Sequence, residues 1–170
     1  TSAEALAAKV KAATGRMHCD FAFYVGATRD NVDRLAELEL QPGAAGVKVF
    51  LGSSTGDLLV DDEETLARIL ATTKRRAAFH SEDEARLRER ISLQREGDSS
   101  SHSEWRDAEA ALASTEMLLR LARQAGKRIH ILHVSTAAEM QLLALNKDIA
   151  TVEVTPQHLT LIASEAYAAI

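Results

Sequence analysis

The sequence predicts an α/β fold built on a parallel β-sheet, and two observations lead to this prediction. Short apolar runs rich in branched and aromatic residues alternate with helical patterns along the whole chain. The run AGVKVFL is nearly all apolar, as expected for a strand that is covered on both faces. Parallel strands joined by helices need right-handed crossovers. Their carboxyl ends then share one edge of the sheet, where we expect functional side chains.

The first part of the chain predicts helices and strands in alternation. Thr1 and Glu4 match a capping box for a helix over residues 1–14, and Gly15 follows as its stop. The run CDFAFYVGAT predicts a strand and DNVDRLAELEL a short helix. AGVKVFL predicts the second strand. DDEETLARILATTKR has acids first, bases last and apolar residues at helical spacing, so it predicts the next helix.

The second part continues the same alternation. AAFH predicts the third strand, and Ser81 with Glu84 forms a capping box before the helical pattern EDEARLRERISL. The polar residues 95–107 predict a mobile loop over a site. A long amphipathic helix follows in AEAALASTEMLLRLARQAG. RIHILHV and IATVEVT predict the last two strands, separated by the helix AAEMQLLAL, which Thr136 caps, and ASEAYAAI predicts a final helix start.

Composition favours a single domain, residues 1–170, that acts on small molecules. The chain has 170 residues, of which 46% are hydrophobic and 26% charged, enough for a real core. Its formal net charge is −5 with no basic cluster, so neither nucleic acid nor a membrane is an expected partner. Cys19 is the only cysteine, which excludes an internal disulfide framework and suits the cytoplasm.

Two histidines stand at strand ends, where functional side chains gather. His80 ends AAFH, and His133 comes near the end of RIHILHV. His130 lies three residues before His133, so strand alternation predicts opposite faces for the two, and the end position favours His133. One such histidine is more often a hydrogen-bonded structural residue than a ligand. Two at equivalent positions favour zinc, which imidazole binds and which activates water near neutral pH.

Lys48 lies inside the apolar run AGVKVFL, where an ammonium group is costly to bury. The ordinary explanation is a lysine that extends to the strand end or pairs with a carboxylate. The functional alternatives are an amine nucleophile and a carbamate formed with carbon dioxide, which presents oxygens to metal ions. A carbamate would turn the buried cation into an anion that metal ions compensate. The residues by themselves leave these alternatives open.

Segments spread over nearly the whole chain together resemble the dihydroorotases of the amidohydrolase superfamily, in this order. They are GVKVFLGSSTGDLLVDD, AAFHSEDE, SSSHSEWRDAEAA, RIHILHVSTAAEM and VEVTPQHLTL. The resemblance implies a (β/α)8 barrel of the TIM type that reversibly hydrolyses the cyclic amide of dihydroorotate to N-carbamoyl-aspartate in pyrimidine biosynthesis. Allantoinase and hydantoinase or dihydropyrimidinase are alternatives within the superfamily. A noncatalytic dihydroorotase-like assembly domain is the alternative from another class.

The resemblance also implies a metal site. The dihydroorotases hold one or two zinc ions, often bridged by a carboxylated lysine. Lys48 matches that lysine. His80 and His133 match the two histidines that hold the second metal together with the lysine. We expect a small-molecule substrate and a homo-oligomeric enzyme. The weaker candidates for substrate binding are Ser53, Ser54 and His158.

Parts of the family pattern have no counterpart in this sequence. The His-x-His pair that holds the other metal, the arginine after it and the catalytic aspartate of the last strand are absent. In addition, Gln157 stands where relatives often have the first of two adjacent histidines. We therefore expect a central portion of the barrel, roughly strands three to seven, of a longer protein. On its own, this portion is expected to be inactive.

Overall fold

The computed structural model describes residues 1–52 and 56–168. The strands in this part of the chain are β1 (Phe23–Gly26), β2 (Ala44–Phe50), β3 (Ala77–His80), β4 (Ile129–Ile131) and β5 (Ala150–Val152). The helices are α1 (Ala3–Ala13), α2 (Leu35–Leu38), α3 (Glu63–Thr72), α4 (Glu84–Arg90), α5 (His102–Trp105), α6 (Ala108–Ala125), α7 (Ala137–Ala144), α8 (Pro156–Thr160) and α9 (Ala163–Ala168). No helix within these residues has the length and apolar character needed to cross a membrane.

The strands form one parallel sheet in the order β1-β2-β3-β4-β5. Each strand pairs in parallel with the next strand in the chain. Parallel neighbours in sequential order, joined by right-handed crossovers, place the connecting helices on one face of the sheet. The predicted α/β fold with a parallel sheet and crossover helices is therefore confirmed. This arrangement is also that of consecutive βα units in a (β/α)8 barrel.

The core lies between the sheet and the helices. Val47 and Val49 of β2 and Phe79 of β3 are fully buried. They belong to one apolar cluster with side chains from α3, α6 and β4, namely Leu66, Ile69, Leu118, Ala122, Ile129 and Ile131. Because side chains alternate along a strand, the residues between these point to the opposite face of the sheet. We call that surface the inner face; it includes Lys48, Phe50, Ala78, His80, His130 and Thr151.

Residues 95–107, which the sequence predicts as a loop over a site, include two short helical segments. They contain a 3-10 turn, Ser99–Ser101, followed by α5. Arg95 ties this segment together, because its guanidinium donates to Asp98 at 2.7 Å and to both oxygens of Glu104 at 2.7 and 2.8 Å. Ser101 is buried and donates to the carbonyl of Asp98 at 2.7 Å. Local ion pairs thus give a polar segment a defined conformation.

Candidate functional site

His80 and His133 meet at the carboxyl edge of the sheet. His80 is the last residue of β3, and His133 follows β4 by two residues. Nδ1 of His80 lies 3.1 Å from Nε2 of His133, and the ring centroids are 4.9 Å apart in an edge-to-face arrangement. Two nitrogens bound to one tetrahedral zinc at about 2.0–2.1 Å would be about 3.3 Å apart. The histidine pair is therefore spaced as two ligands of one ion would be.

His133 reaches this position through an unusual backbone conformation. Its φ is 38°, the only positive φ among the non-glycine residues that the structure describes. Such a conformation costs about 1–3 kcal/mol and is typical of functional sites. Because β4 ends at Ile131, strand alternation does not extend to His133. The prediction that His130 and His133 lie on opposite faces was therefore wrong: His130 is on the inner face, and His133 contacts His80 there.

Lys48 lies in the middle of β2 on the inner face, where it pairs with Gly26 and Ala78. Its Nζ is 4.5 Å from the centroid of the Phe50 ring. Burial lowers the pKa of Lys48 to about 8, although the charge of Glu153 acts in the opposite direction. The fold thus makes this amine much easier to deprotonate than an exposed lysine.

The pKa of His133 is also lowered, first by burial and then by the nearby charges of His80 and Lys48. A lowered pKa keeps this imidazole neutral near pH 7, which is the form that binds metals. The positive charge of Lys48 on the inner face thus contributes to the lowered pKa of His133, after burial and His80. The structure therefore brings all three predicted metal ligands to the same side of the sheet.

Glu82, which no pattern in the sequence singles out, contacts the other nitrogen of the His80 ring. Oε2 of Glu82 lies 2.6 Å from Nε2 of His80. Arg106 donates from Nε to Oε1 of Glu82 at 2.9 Å, and its Nη2 donates to Oε2. Burial alone would raise the pKa of Glu82, but the bonds from His80 and Arg106 lower it to about 2. The available signal was a glutamate two residues after a strand-terminal histidine.

His130 belongs to a separate polar cluster on the inner face. Its Nδ1 lies 2.9 Å from Oγ1 of Thr151, and its Nε2 lies 3.3 Å from Oε2 of Glu153. Arg76 donates to the same Thr151 hydroxyl at 3.0 Å. Both ring nitrogens of His130 are therefore occupied by β5 and the residues that follow it, which fits a structural, hydrogen-bonded histidine.

A cavity of about 640 Å³ opens beside the histidine pair. It is lined by His80 and His133, and on the far side by Gln157 and His158 of α8 and Tyr167 of α9. His158, a weaker candidate for substrate binding, thus lies on a helix that lines the cavity. The volume is within the range of about 300–1,000 Å³ that is usual for small-molecule sites. The other two candidates for substrate binding, Ser53 and Ser54, lie outside the described residues.

The donor set fits part of a zinc site. Within residues 1–52 and 56–168, no three His, Cys, Asp or Glu side chains come together as a metal site would require. The fold brings together a pair of imidazoles whose nitrogens are 3.1 Å apart, and it places on the same face of the sheet a lysine whose pKa is lowered to about 8. Imidazole nitrogen and carboxylate-like oxygen are both good zinc ligands. A carboxylated Lys48 would add the missing oxygen donors.

Curated relatives match this chain over most of its length. The chain is 36% identical to an allantoinase of Streptomyces avermitilis over 174 residues, covering 94% of this chain and 37% of that protein. It is 31% identical to a dihydroorotase of Methanosarcina acetivorans over 171 residues, covering 92% and 36%, respectively. The chain thus spans a little over a third of the length of these relatives. A scan against protein-family models finds no match.

Solved structures match the fold. A D-hydantoinase from a Bacillus sp. AR9 superposes with a TM-score of 0.82 at 25% identity, covering 95% of this chain and 38% of that one. The L-hydantoinase (dihydropyrimidinase) from Arthrobacter aurescens gives a TM-score of 0.85 at 23% identity, an identity at which the likeness concerns the fold alone. It covers 98% of this chain and 39% of that one, so the predicted partial (β/α)8 barrel is confirmed. By sequence and by fold, the chain belongs to the cyclic amidohydrolase superfamily.

Proposed function

We propose that this chain carries part of the active site of a zinc-dependent cyclic-amide hydrolase, with dihydroorotate as the first candidate substrate. The observation that supports this most directly is the contact between Nδ1 of His80 and Nε2 of His133 at 3.1 Å. Lys48, on the same inner face, has a pKa lowered to about 8. The names of the sequence relatives, allantoinase and dihydroorotase, support the reaction class.

In this proposal each of the three side chains has a distinct role. His80 and His133, whose facing nitrogens are 3.1 Å apart, would hold one metal ion. The neutral amine of Lys48 forms a bond to the carbon of carbon dioxide and releases a proton, which leaves a carbamate whose oxygens bind metal. Bound zinc polarises an amide carbonyl and makes water a better nucleophile near neutral pH. Two neutral imidazoles and one anionic lysine carbamate suit a doubly charged cation.

The candidate cyclic amides differ in whether they carry a carboxylate. Dihydroorotate carries a carboxylate, whereas allantoin and hydantoin do not. Arg106 lines the cavity, but its guanidinium is already bound to Glu82. Allantoin is the second candidate, because the allantoinase relative is 36% identical over 94% of this chain. The alternative of a noncatalytic assembly domain is disfavoured by the joint presence of Lys48, His80 and His133.

Ligand binding to the zinc-loaded chain tests this proposal. L-dihydroorotate, allantoin and hydantoin are titrated separately into the 170-residue chain and followed by calorimetry. We expect dihydroorotate to bind most tightly, and His133→Ala to abolish that binding. His18→Ala, an exposed histidine substitution, is the matched control and is expected to bind as the native chain does. Tightest binding of allantoin would replace dihydroorotate as the substrate, and no binding of any of the three would refute the proposed class.

A further inference from the structure

His80 uses both of its ring nitrogens at close range. Nδ1 faces Nε2 of His133 at 3.1 Å, and Nε2 faces Oε2 of Glu82 at 2.6 Å. The side chains of His80 and Glu82 are only 14% and 13% exposed, so water does not compete strongly for these contacts. A neutral imidazole has one donor and one acceptor nitrogen. The partners of the ring therefore determine which nitrogen carries the proton.

Arg106 indicates that the Glu82 carboxylate is ionised and acts only as a hydrogen-bond acceptor. Its Nε donates to one carboxylate oxygen at 2.9 Å, and its Nη2 donates to the other. This two-point contact is the usual geometry of a guanidinium with an ionised carboxylate, which only accepts hydrogen bonds. Glu82 consequently accepts from His80 as well. The proton of His80 is then on Nε2, and the lone pair of Nδ1 points towards His133.

The backbone of Glu82 is also closely packed, against Gly52. Gly52, just after β2, packs against it so closely that a Cβ on Gly52 would lie 2.9 Å from the Glu82 carbonyl oxygen. Arg106 follows α5 directly, and its guanidinium lies 5.6 Å from the centroid of the Trp105 ring. Glu82 is thus confined by three parts of the chain: the exit of β2, the exit of β3 and the end of α5.

We propose that Glu82, held by Arg106, is a positioning residue that fixes the ring orientation and tautomer of His80, so that Nδ1 is the atom presented to a metal ion. The metal part of this inference rests on the proposed function, whereas the tautomer is a property of the metal-free chain. Histidine ligands commonly donate their second ring N–H to a carboxylate, and loss of that partner typically weakens metal binding about 10–100-fold.

The first test reads the His80 ring without metal. Long-range 1H–15N spectra of the metal-free chain are expected to show His80 as the Nε2–H tautomer, with a proton that exchanges slowly with water. In Glu82→Ala, we expect that proton to exchange rapidly and the Nδ1–H tautomer to appear. Glu104→Ala is the control, because its carboxylate binds Arg95 instead. An Nδ1–H tautomer in the native chain, or an unchanged ring in Glu82→Ala, would overturn the inference.

The second test measures zinc affinity by competition with a chromophoric chelator. Glu82→Ala is expected to bind zinc about 10–100-fold more weakly than the native chain. Glu82→Gln keeps an oxygen that accepts from Nε2, so its loss should be smaller; Glu104→Ala should show none. Equal losses in the Ala and Gln variants, with a changed circular dichroism spectrum, would mean a purely structural role. If the native chain binds no zinc, the proposed function fails while the ring spectra still decide the positioning role.

Discussion

Lys48 is the residue whose chemistry the fold changes most. Burial on the inner face lowers its pKa to about 8. At pH 7.5, about a quarter of such an amine is neutral, against about 0.1% for a free lysine with a pKa of about 10.4. The neutral amine is the form that reacts with carbon dioxide. Burial of the lysine, which is costly for a cation, therefore favours conversion to a carbamate.

The titration of Lys48 can be measured directly. We predict a midpoint of about 8 for Lys48 in the metal-free chain, because burial disfavours the charged form. The measurement is a pH titration of the lysine side-chain signals by 1H–13C NMR without bicarbonate, with Lys48→Ala to assign the signal. A midpoint near the free-lysine value of about 10.4 would show that the ammonium group is well solvated.

The sequence singles out Lys48, His80 and His133 as candidates, because each stands in or after an apolar strand where its residue type is unexpected. It could not predict Glu82 as a partner of His80. The Glu82 carboxylate is also bound by Arg106, which lies 24 residues further along the chain. Nor could alternation place His133 correctly, because its orientation depends on a backbone φ of 38° beyond the strand end. A contact between residues that are distant in the sequence, or a single backbone dihedral angle, produces no periodic pattern in the sequence.

At the scale of elements, a buried polar network joins the exit of β3 to α6 and α7. Glu139 of α7 accepts from Thr115 of α6 at 2.9 Å and from Thr136 at 2.8 Å. The hydroxyls of Thr115 and Ser81 lie 2.9 Å apart. Glu139 is 3% exposed, and burial raises its pKa despite these hydrogen bonds. The network stabilises the two helices together, and it carries an ionisable group.

This network makes stability depend on pH. Because burial raises the pKa of Glu139 in the folded state above its ordinary value of 4.5, native stability falls as pH rises from about 4.5 through the folded-state pKa. Glu139→Gln removes this titration. We predict that, as pH rises, the unfolding free energy of the native protein falls relative to that of Glu139→Gln. Urea unfolding from about pH 4 to 8 measures it; a difference that stays constant with pH would contradict the prediction.

The exit of β2 is packed tightly against the residue after Ser81. A Cβ on Gly52 would lie 2.9 Å from the carbonyl oxygen of Glu82 and 3.0 Å from its Cβ. We predict that Gly52→Ala costs about 1–3 kcal/mol of unfolding free energy, because the backbone of Glu82 must move. Urea unfolding gives the cost, and NMR of the His80 ring shows the displacement.

Gly97→Ala is the comparison for this effect. A Cβ at Gly97 meets nothing within 4 Å, but its φ of +74° strains any other residue. Its cost should therefore come from the backbone alone, of the order of 1 kcal/mol, with the His80 ring signals unchanged. Unaltered stability and ring signals in Gly52→Ala would show that the β2 exit can relax without moving Glu82.

Helix starts show where local patterns are sufficient. Thr136 caps α7, as predicted, by accepting from the backbone N–H of Glu139 at 3.2 Å. The caps of α1 and α4 are Ser2 and Asp83, where the sequence predicts Thr1 and Ser81. In both cases a second suitable oxygen lies within two residues. The hydroxyl of Ser81 is used by the buried network, so a tertiary contact decides which residue caps the helix.

At the scale of the whole molecule, the alternation of strands and helices was enough to predict the parallel sheet. Right-handed crossovers leave few alternatives for sequential βα units, which explains why the fold class follows from the pattern. Most side chains on the inner face, in contrast to those in the core between sheet and helices, are only partly buried. Tyr24 of β1, for example, is 50% exposed. The chain corresponds to only 38% of the length of the superposed Bacillus hydantoinase.

The same geometry predicts low activity for the 170-residue chain. Within the described part of the chain, no three His, Cys, Asp or Glu side chains are placed to hold one metal ion. A zinc hydrolase usually needs three protein ligands and a shaped, water-excluding cavity. We predict dihydroorotate turnover below about 1 per second with zinc and bicarbonate present. Formation of N-carbamoyl-aspartate measures it, and a rate typical of enzymes would refute the prediction.

The most direct test of the account is the zinc content of the purified chain after incubation with zinc and bicarbonate. We predict nearly stoichiometric zinc in the native chain and in Lys9→Ala, an exposed lysine on α1 that serves as the control. Lys48→Ala should lose most of that zinc, because the carbamate oxygens are then absent. Equal zinc in Lys48→Ala and the native chain, or none in either, would contradict a metal site built on Lys48, His80 and His133.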